Sequence, residues 1–152
     1  MATWGEMASF APKIAAIGSE LLYRTGAGEA MLVTVRGDGL PRIHPINVGI
    51  VGDRLVAFIL DSPKSRDLEQ DGRYALHAHL DPQAPHEVQL RGRARLVTDA
   101  TLRANAVAVW PFEADASYRL FELDIESALL GERPTADDWP PVYTRWSSRQ
   151  AP

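Results

Sequence analysis

The sequence predicts a small antiparallel β-barrel of the α+β class, mainly β, formed as a single domain over residues 1–152. Three observations predict this fold. About six short segments have the composition or alternation of β-strands, and tight turns rich in glycine and aspartate separate several of them. Helical patterns interrupt the strands at only a few points. The chain shows neither an internal repeat nor a domain boundary.

The composition excludes several classes of function. A chain of 152 residues is long enough to bury a hydrophobic core without covalent crosslinks. It contains no cysteine, which rules out disulfides, thiolate metal sites and cysteine nucleophiles. The net charge of -4 argues against a nucleic-acid partner, because nucleic-acid surfaces are usually basic.

The first residues do not have the pattern of a targeting signal. Residues 1–6 lack the basic start and the apolar segment of a signal peptide. No stretch approaches the roughly 20 apolar residues of a membrane-spanning helix. The expectation is therefore a cytoplasmic protein that does not contact a membrane.

The N-terminal part, residues 1–29, is predicted to be helical. Apolar residues between 9 and 24 recur at the spacing of one helix face, and Pro12 lies near the start of the pattern. This pattern predicts an amphipathic helix that ends at the Gly26 and Gly28 pair. The residues on its apolar face are Ile14, Ile17, Leu21 and Leu22.

Three strands follow in sequence. Residues 31–35 are rich in β-branched side chains, and the turn at residues 37–39 separates them from an apolar pattern over residues 43–50. After a second turn, residues 55–60 form a nearly continuous apolar run, which indicates a strand buried on both faces. Short turns between successive strands predict an antiparallel meander.

The stretch at residues 61–68 carries the clearest signal of a binding site. Ser62 is a good N-cap, and Pro63 suits the first helical position because its missing N–H needs no partner there. The free backbone N–H groups of Lys64 and Ser65, with the cationic side chains of Lys64 and Arg66, suit a phosphate group. The competing interpretation is a capped connector helix with solvated charges.

A strand rich in arginine lies in the second half of the chain. Residues 74–80 alternate in polarity, and so do residues 88–96, which place Arg91, Arg93 and Arg95 on one face. That face could meet solvent, a dimer partner or an anionic ligand. Gly92, in the middle of the strand, predicts a bulge or the close approach of another backbone.

The remaining elements are a helix, a strand and a tail. Residues 99–109 are predicted to form a helix that ends at Trp110, and residues 118–125 alternate as a last strand. The tail at residues 132–152 is rich in proline and aromatic residues and is predicted to be irregular. Because exposed aromatic side chains are unfavourable, we expect the tail to pack on the domain or on a partner subunit.

No catalytic or metal-binding motif stands out. A chelating pair at His77 and His79 has no third ligand at motif spacing, so no metal site is expected. His44 is interpreted as a hydrogen-bonded structural residue. Hydrolase and nucleotide-triphosphate motifs are absent, and no catalytic residue is assigned. An anion site without an acid, base or nucleophile suits a protein that holds a phosphorylated cofactor, which supplies the chemistry.

The order of these segments resembles a known family. Residues 31–45, 55–60, 62–68, 72–76 and 88–94 resemble, in order and spacing, the pyridoxamine 5'-phosphate oxidase-like, FMN-binding split-barrel family. The resemblance is strongest over residues 30–97. It implies a six-stranded antiparallel split barrel with short peripheral helices. It also implies a homodimer with two flavin sites at the subunit interface.

The resemblance assigns cofactor-binding roles by position. Ser62 and Lys64 match the phosphate-binding motif, with Arg66 as a second cation and Arg42 at the start of the second strand. Asn47 stands where the oxidases carry a lysine. The strand at residues 58–60 borders the flavin ring, Gln89 reaches the cofactor, and Arg145 and Trp146 close the site. The complete predicted set is Arg42, Asn47, Phe58, Ile59, Leu60, Ser62, Lys64, Ser65, Arg66, Gln89, Arg145 and Trp146.

The expected function is that of an FMN-dependent oxidoreductase that transfers hydride to or from a small-molecule substrate. A deazaflavin-dependent enzyme is an alternative within the same family. A second class is a non-catalytic protein that binds or sequesters flavin, deazaflavin or haem, and a third is a purely structural dimer. Pro63 replaces an arginine of the oxidases, and Asn47 removes another cation.

Overall fold

The computed structural model describes residues 1–149, so the last three residues of the predicted tail lie outside the described part. The helices are α1 (Trp4–Phe10), α2 (Pro12–Leu22), α3 (Pro63–Gln70) and α4 (Ala100–Val109). The strands are β1 (Glu29–Val35), β2 (Pro41–Asn47), β3 (Gly49–Val51), β4 (Arg54–Ile59), β5 (Arg73–Ala78), β6 (Glu87–Leu96), β7 (Arg119–Glu132) and β8 (Val142–Ser147). No helix in this part of the chain is long and apolar enough to span a membrane.

The strands form one curled antiparallel sheet. Its order is β2-β1-β5-β6-β7-β4-β3, and β8 pairs with β7 outside this path. Only Val48 separates β2 from β3, the two ends of the order, so the chain itself joins the two edges of the sheet. The predicted α+β split barrel is therefore confirmed, and residues 1–149 contribute eight strands to it rather than the predicted six.

The predicted meander is confirmed in part, because residues 43–50 pair with the strands before and after them but do so as two strands. The turn at residues 37–39 does join β1 and β2, with Val33 opposite Ile43 and Gly39 at a φ of 83°. The apolar pattern over residues 43–50, however, breaks at Val48 into two strands. The second of them, β3, pairs with β4, while β2 pairs with β1 at the other end of the sheet order. The alternation itself continues through Val48, and the sign of the break is Gly49, because a glycine inside a strand pattern indicates a bulge or bend.

The N-terminal segment contains two helices where the periodicity predicts one. Thr3 caps α1 through a capping box with Glu6, and the chain changes direction at Ala11. Pro12 begins α2, since its missing N–H is harmless in a first turn but would break a continuous helix. Both helices bury their apolar faces against the sheet.

Strand β4 is buried on both faces, as its composition predicts. Leu55, Ala57 and Ile59 face the main hydrophobic core. Val56 and Phe58 face a smaller core that α4 covers. This strand therefore forms a rigid wall between the barrel interior and α4.

The bulge predicted at Gly92 is present in β6. The register between β6 and β7 shifts between Arg91 and Gly92. A Cβ at Gly92 would lie 1.8 Å from the carbonyl oxygen of Asp124, so only glycine permits this approach of the two backbones. The arginines on both sides of Gly92 point to the exposed face of the sheet.

The tail is more regular than predicted. Residues 142–147 form β8, which pairs with the second half of β7. Trp146 packs on the main core from this strand, as expected, whereas Trp139 and Tyr143 of the same tail are 73% and 47% exposed. β7 extends to Glu132, beyond the predicted end of the last strand, and this extension provides the pairing edge for β8.

Candidate functional site

The first candidate site is a cavity between the end of β4, the start of α3 and the edge of β2. We call it the α3 cavity, and its volume is about 660 Å³. This volume falls within the range of roughly 300–1,000 Å³ that is typical of small-molecule sites. Its lining residues are Glu29, Pro45, Ile46, Asn47, Phe58, Ile59, Leu60, Asp61, Ser62, Lys64, His79 and Tyr118.

Helix α3 begins as the sequence predicts. The Ser62 hydroxyl accepts a hydrogen bond from the Ser65 N–H at 3.4 Å, and the Ser65 hydroxyl accepts one from the Ser62 N–H at 3.0 Å. Pro63 occupies the first turn, and Leu68 is buried beneath the helix. This reciprocal capping fixes the helix start at the wall of the α3 cavity.

Both serine hydroxyls are already used by the protein. The Ser62 hydroxyl donates to the Leu60 carbonyl at 2.9 Å. The Ser65 hydroxyl donates to the Ser62 carbonyl at 2.9 Å, and Ser65 is fully buried. Ser65 therefore holds the helix start in place, and its side chain does not reach the cavity.

Arg42 faces a buried carboxylate. Its Nε donates to Asp67 Oδ2 at 2.9 Å, and the same oxygen accepts a hydrogen bond from the Thr34 hydroxyl at 2.8 Å. Burial opposes ionisation of Asp67, but the hydrogen bonds from Thr34 and Arg42 and the charge of Arg42 lower its pKa below the ordinary value. The ionised Asp67 thus offsets the charge of Arg42 and ties β1 and β2 to α3.

Lys64 is the cation at the helix start that remains available. Arg66 pairs with Asp61 at 2.9 Å on the exposed side of α3. Half-buried Lys64 forms no ion pair with any of residues 1–149. Because Lys64 lines the cavity at the positive end of the α3 dipole, it is placed to hold an anion there.

His44 lies on β2 close to this cation. Burial lowers the pKa of His44 below its ordinary value, and the positive charges of Lys64 and Arg42 lower it further, while Asp67 opposes them. Its Nε2 is shielded from solvent and has no hydrogen-bond partner in the described part of the chain. The predicted role of His44 as a hydrogen-bonded structural residue is therefore wrong for this nitrogen.

Besides Asp61, which directly precedes the predicted helix cap, sequence reasoning missed three polar residues that line the α3 cavity. Glu29 pairs with Asn47 across β1 and β2. His79 follows β5 one position beyond the last register pair, Ala30 with Ala78. Glu29 could have been found by extending the hairpin register back from the turn. Tyr118, the third of these residues, precedes β7 and reaches the cavity only through the tertiary fold.

A second, smaller cavity lies across β6, β7 and β8. We call it the β8 cavity, and its volume is about 260 Å³. Gln89, Arg91 and Arg145 line it together with Trp146, whose indole nitrogen is buried and has no hydrogen-bond partner among residues 1–149. No carboxylate lines this cavity, so its polar groups suit an anionic or electron-rich ligand.

The predicted cofactor-binding residues divide into three groups. Asn47, Phe58, Ile59, Leu60, Ser62 and Lys64 line the α3 cavity. Gln89, Arg145 and Trp146 line the β8 cavity. Arg42, Ser65 and Arg66 line neither cavity. Within residues 1–149 no group of three or more histidine, aspartate or glutamate side chains is arranged to hold a metal ion.

No protein-family model matches the sequence, and no curated protein is similar enough to count as a relative. The structure is similar to general stress protein 26 from Bacillus anthracis, at 18% identity, covering 84% of this chain and 97% of that chain with a TM-score of 0.58. It is also similar to a Clostridium acetobutylicum protein related to general stress protein 26 and assigned to the pyridoxinephosphate oxidase family, at 14% identity, 88% and 94% coverage and a TM-score of 0.61.

A third similar structure is a heme binding protein from Mycobacterium smegmatis, at 16% identity and a TM-score of 0.61, covering 85% of this chain and 56% of that chain. These similarities place the chain in the class of split-barrel proteins. Its fold is that of the pyridoxamine 5'-phosphate oxidase-like proteins. At 14–18% identity the similarity establishes the fold, and function has to be argued from the site.

Proposed function

We propose that the protein is a homodimeric, FMN-binding oxidoreductase whose α3 cavity holds the phosphate end of the cofactor. The observation that carries this proposal is Lys64, a cation without an ion-pair partner in residues 1–149, at a capped helix start that lines a cavity of about 660 Å³. The similar Clostridium acetobutylicum structure is assigned to the pyridoxinephosphate oxidase family, and the sequence resemblance to that family implies FMN as the ligand.

The residues of the α3 cavity fit such a cofactor. Lys64 and the helix start provide positive charge for a phosphate group. The end of buried strand β4, at Phe58 and Ile59, borders the cavity and provides a wall for a flat ring, while the two side chains pack into opposite cores. The unpaired Nε2 of His44 beside the helix start is a further polar atom that the protein itself leaves unsatisfied. Bound FMN would accept or donate hydride for an unidentified small-molecule substrate.

In this proposal the protein positions the reaction and provides no nucleophile. Lys64 holds the phosphate electrostatically, and the double burial of β4 keeps the wall of the cavity rigid. That wall excludes water from one face of the ring. Glu29, His79 and Tyr118 line the same cavity and leave polar groups for the rest of the ligand or for the substrate.

We propose further that dimerisation completes the site. The predicted cofactor-binding residues are shared between two cavities of one chain, and a second copy could bring its β8 cavity to the α3 cavity. The outer face of β1 and β2 supports this, because Ile43 is 63% exposed and lies beside Val33. An apolar strand face of this kind is costly to leave in water. Sedimentation of the purified chain should give a dimer, and Ile43→Asp should shift it to the monomer.

The decisive experiment is a titration with FMN and with riboflavin, which lacks the phosphate group. We expect Lys64→Ala to weaken FMN binding by about 10- to 100-fold, the equivalent of one charge-assisted hydrogen bond. Riboflavin binding should be unchanged. The matched control is Lys13→Ala, because Lys13 is the other lysine of the chain and pairs with Glu132 on the surface.

Other outcomes would point to other functions. Binding of a deazaflavin but not of FMN would keep the oxidoreductase and change its cofactor. A Soret band on titration with haem would favour the binding protein, and His79 is then the available axial ligand because it lines the α3 cavity. If none of these ligands binds to the wild-type protein, the proposed function is wrong.

A further inference from the structure

The start of α3 supplies too little positive charge to balance the negative charge of a phosphate group. A phosphomonoester bears about -1.5 to -2 charges at neutral pH. Asp67 offsets the charge of Arg42, and Asp61 offsets that of Arg66. Of the cations predicted at this end, only Lys64 is left without a carboxylate among residues 1–149. A second cation is therefore needed for the phosphate end of the ligand that we propose above.

His44 is the side chain placed to supply that charge. Alternation along β2 places it on the same strand face as Arg42, which hydrogen-bonds to Asp67 of α3. Ile46 lies on that face too and lines the α3 cavity. Since Nε2 has no hydrogen-bond partner in the described residues, rotation of the imidazole towards an anion breaks no bond at that atom. A buried nitrogen without a partner is also unfavourable, and an anion would remove this cost.

The surrounding charges favour a neutral imidazole until an anion arrives. Helix α3 presents Lys64 and Asp67 to His44, and Arg42 lies on the same strand, while β1 presents Leu32 and the hydroxyl of Thr34. Burial, Lys64 and Arg42 lower the pKa of His44, against the opposing effect of Asp67. A bound anion would offset Lys64 and favour the protonated ring.

We propose that His44 completes the anion site with Lys64 by taking up a proton as a phosphate group binds. The inference rests on the proposed function, because it concerns the same end of the α3 cavity. It assigns the second cation to His44 instead of Arg42, whose charge Asp67 offsets. The protonated imidazole donates a hydrogen bond to a phosphate oxygen and repays the cost of its own burial.

The test is the pH dependence of binding, measured by calorimetry with FMN and with inorganic phosphate between about pH 5.5 and 8.5. Wild-type affinity should fall as pH rises, by up to tenfold per pH unit, the limit for one linked proton. The second ionisation of the phosphate, near pH 6, acts in the opposite direction, so the fall cannot come from the ligand. Riboflavin binding should not depend on pH in this way.

Two variants isolate His44. In His44→Gln the fall with pH should disappear, and affinity at the acidic end should drop by about tenfold, the effect of one lost ionic hydrogen bond. In His44→Arg, affinity should stay high across the whole range, because arginine keeps its charge. The matched control is His86→Gln. His86 lines neither cavity and accepts a hydrogen bond from the Arg133 N–H, so the wild-type profile should persist.

Each result decides between the two proposals. If FMN binds in a Lys64-dependent manner and His44→Gln keeps the wild-type profile, the role of His44 is wrong and the proposed function stands. If FMN does not bind but inorganic phosphate binds with the His44-dependent profile, the anion site stands and the flavin function is wrong. Failure of both probes overturns both proposals.

Discussion

Two regions of the molecule place arginines beside a buried carboxylate. They differ in whether a cation or polar atom there remains without a partner. On β7, Glu122 is 2% exposed, and its two oxygens meet Arg54 at 2.6 Å and Arg95 at 2.8 Å. Arg95 also reaches Asp124 at 2.8 Å. In this group, which we call the Glu122 cluster, both arginines have a carboxylate partner, and its residues line neither the α3 nor the β8 cavity.

At the start of α3 the balance is different. Asp67 holds Arg42 in the same way that Glu122 holds its arginines. Lys64 and the Nε2 of His44 have no partner within residues 1–149, and they lie at or beside the largest of the cavities described above. Structural arginines therefore differ from groups placed to bind a ligand in having a carboxylate partner. Position in the sequence does not distinguish the two.

The largest expected effect is the loss of stability on breaking the Glu122 cluster. Glu122→Gln leaves two arginines facing a neutral group, and removing one partner of a buried pair costs about 3–5 kcal/mol. Because the side chains of Arg54 and Arg95 are 37% and 57% exposed, we expect a loss below that range, about 2–3 kcal/mol, in the free energy of unfolding by urea.

Breaking the Glu122 cluster should leave ligand binding unchanged. FMN affinity of folded Glu122→Gln should equal that of the wild type, because the cluster lies outside both cavities. Glu113→Gln is the matched control, since Glu113 is exposed and should change stability by less than about 0.5 kcal/mol. A loss of FMN binding in folded Glu122→Gln would contradict the division between structural and binding charges.

The second effect concerns Asp67 and its dependence on pH. The pKa of Asp67 is lowered in the folded protein, so its contribution to stability is fully present above its unfolded value of 3.8 and is lost as pH falls through the folded value. We expect Asp67→Asn to be about 1–2 kcal/mol less stable than the wild type at neutral pH. The difference should shrink when urea unfolding is repeated at about pH 3.

Asp137 provides the matched control for this experiment. It is exposed in the tail, and Asp137→Asn should follow the wild type at both pH values. A difference between Asp67→Asn and the wild type that stays constant on acidification would mean that Asp67 acts through its shape alone. Arg42 would then be available for a ligand, which would weaken the argument for His44.

Much of the fold could be predicted because its signals are local. The capped start of α3, the bulge at Gly92 and the double burial of β4 each depend on a few consecutive residues. The break at Val48 was not predicted, although Gly49 beside it is a local signal of the same kind as Gly92. β8 was missed because its strand pairs with an extension of β7 that sequence alternation did not reveal.

The candidate site was predictable only in part, for a related reason. The position of Lys64 follows from the helix start, which is a local feature. The pairing of Arg42 with Asp67 joins residues 25 positions apart, and the arrival of Tyr118 at the α3 cavity depends on the complete sheet. Sequence reasoning therefore found cations, but it could not tell which of them the protein itself would neutralise.

The smallest predicted effect compares two helix caps. Ser62 caps α3 at the cavity, and Asp99 caps α4 by accepting hydrogen bonds from the N–H groups of Thr101 and Leu102. Ser62→Ala and Asp99→Ala should each lower the free energy of unfolding by about 1 kcal/mol. Only Ser62→Ala should weaken FMN binding, by at most about fivefold, because that factor corresponds to 1 kcal/mol. The loss stays this small because the Ser62 hydroxyl already donates to Leu60, so the variant loosens the helix start without removing a phosphate donor. A loss as large as that of Lys64→Ala would mean that the hydroxyl turns to the ligand.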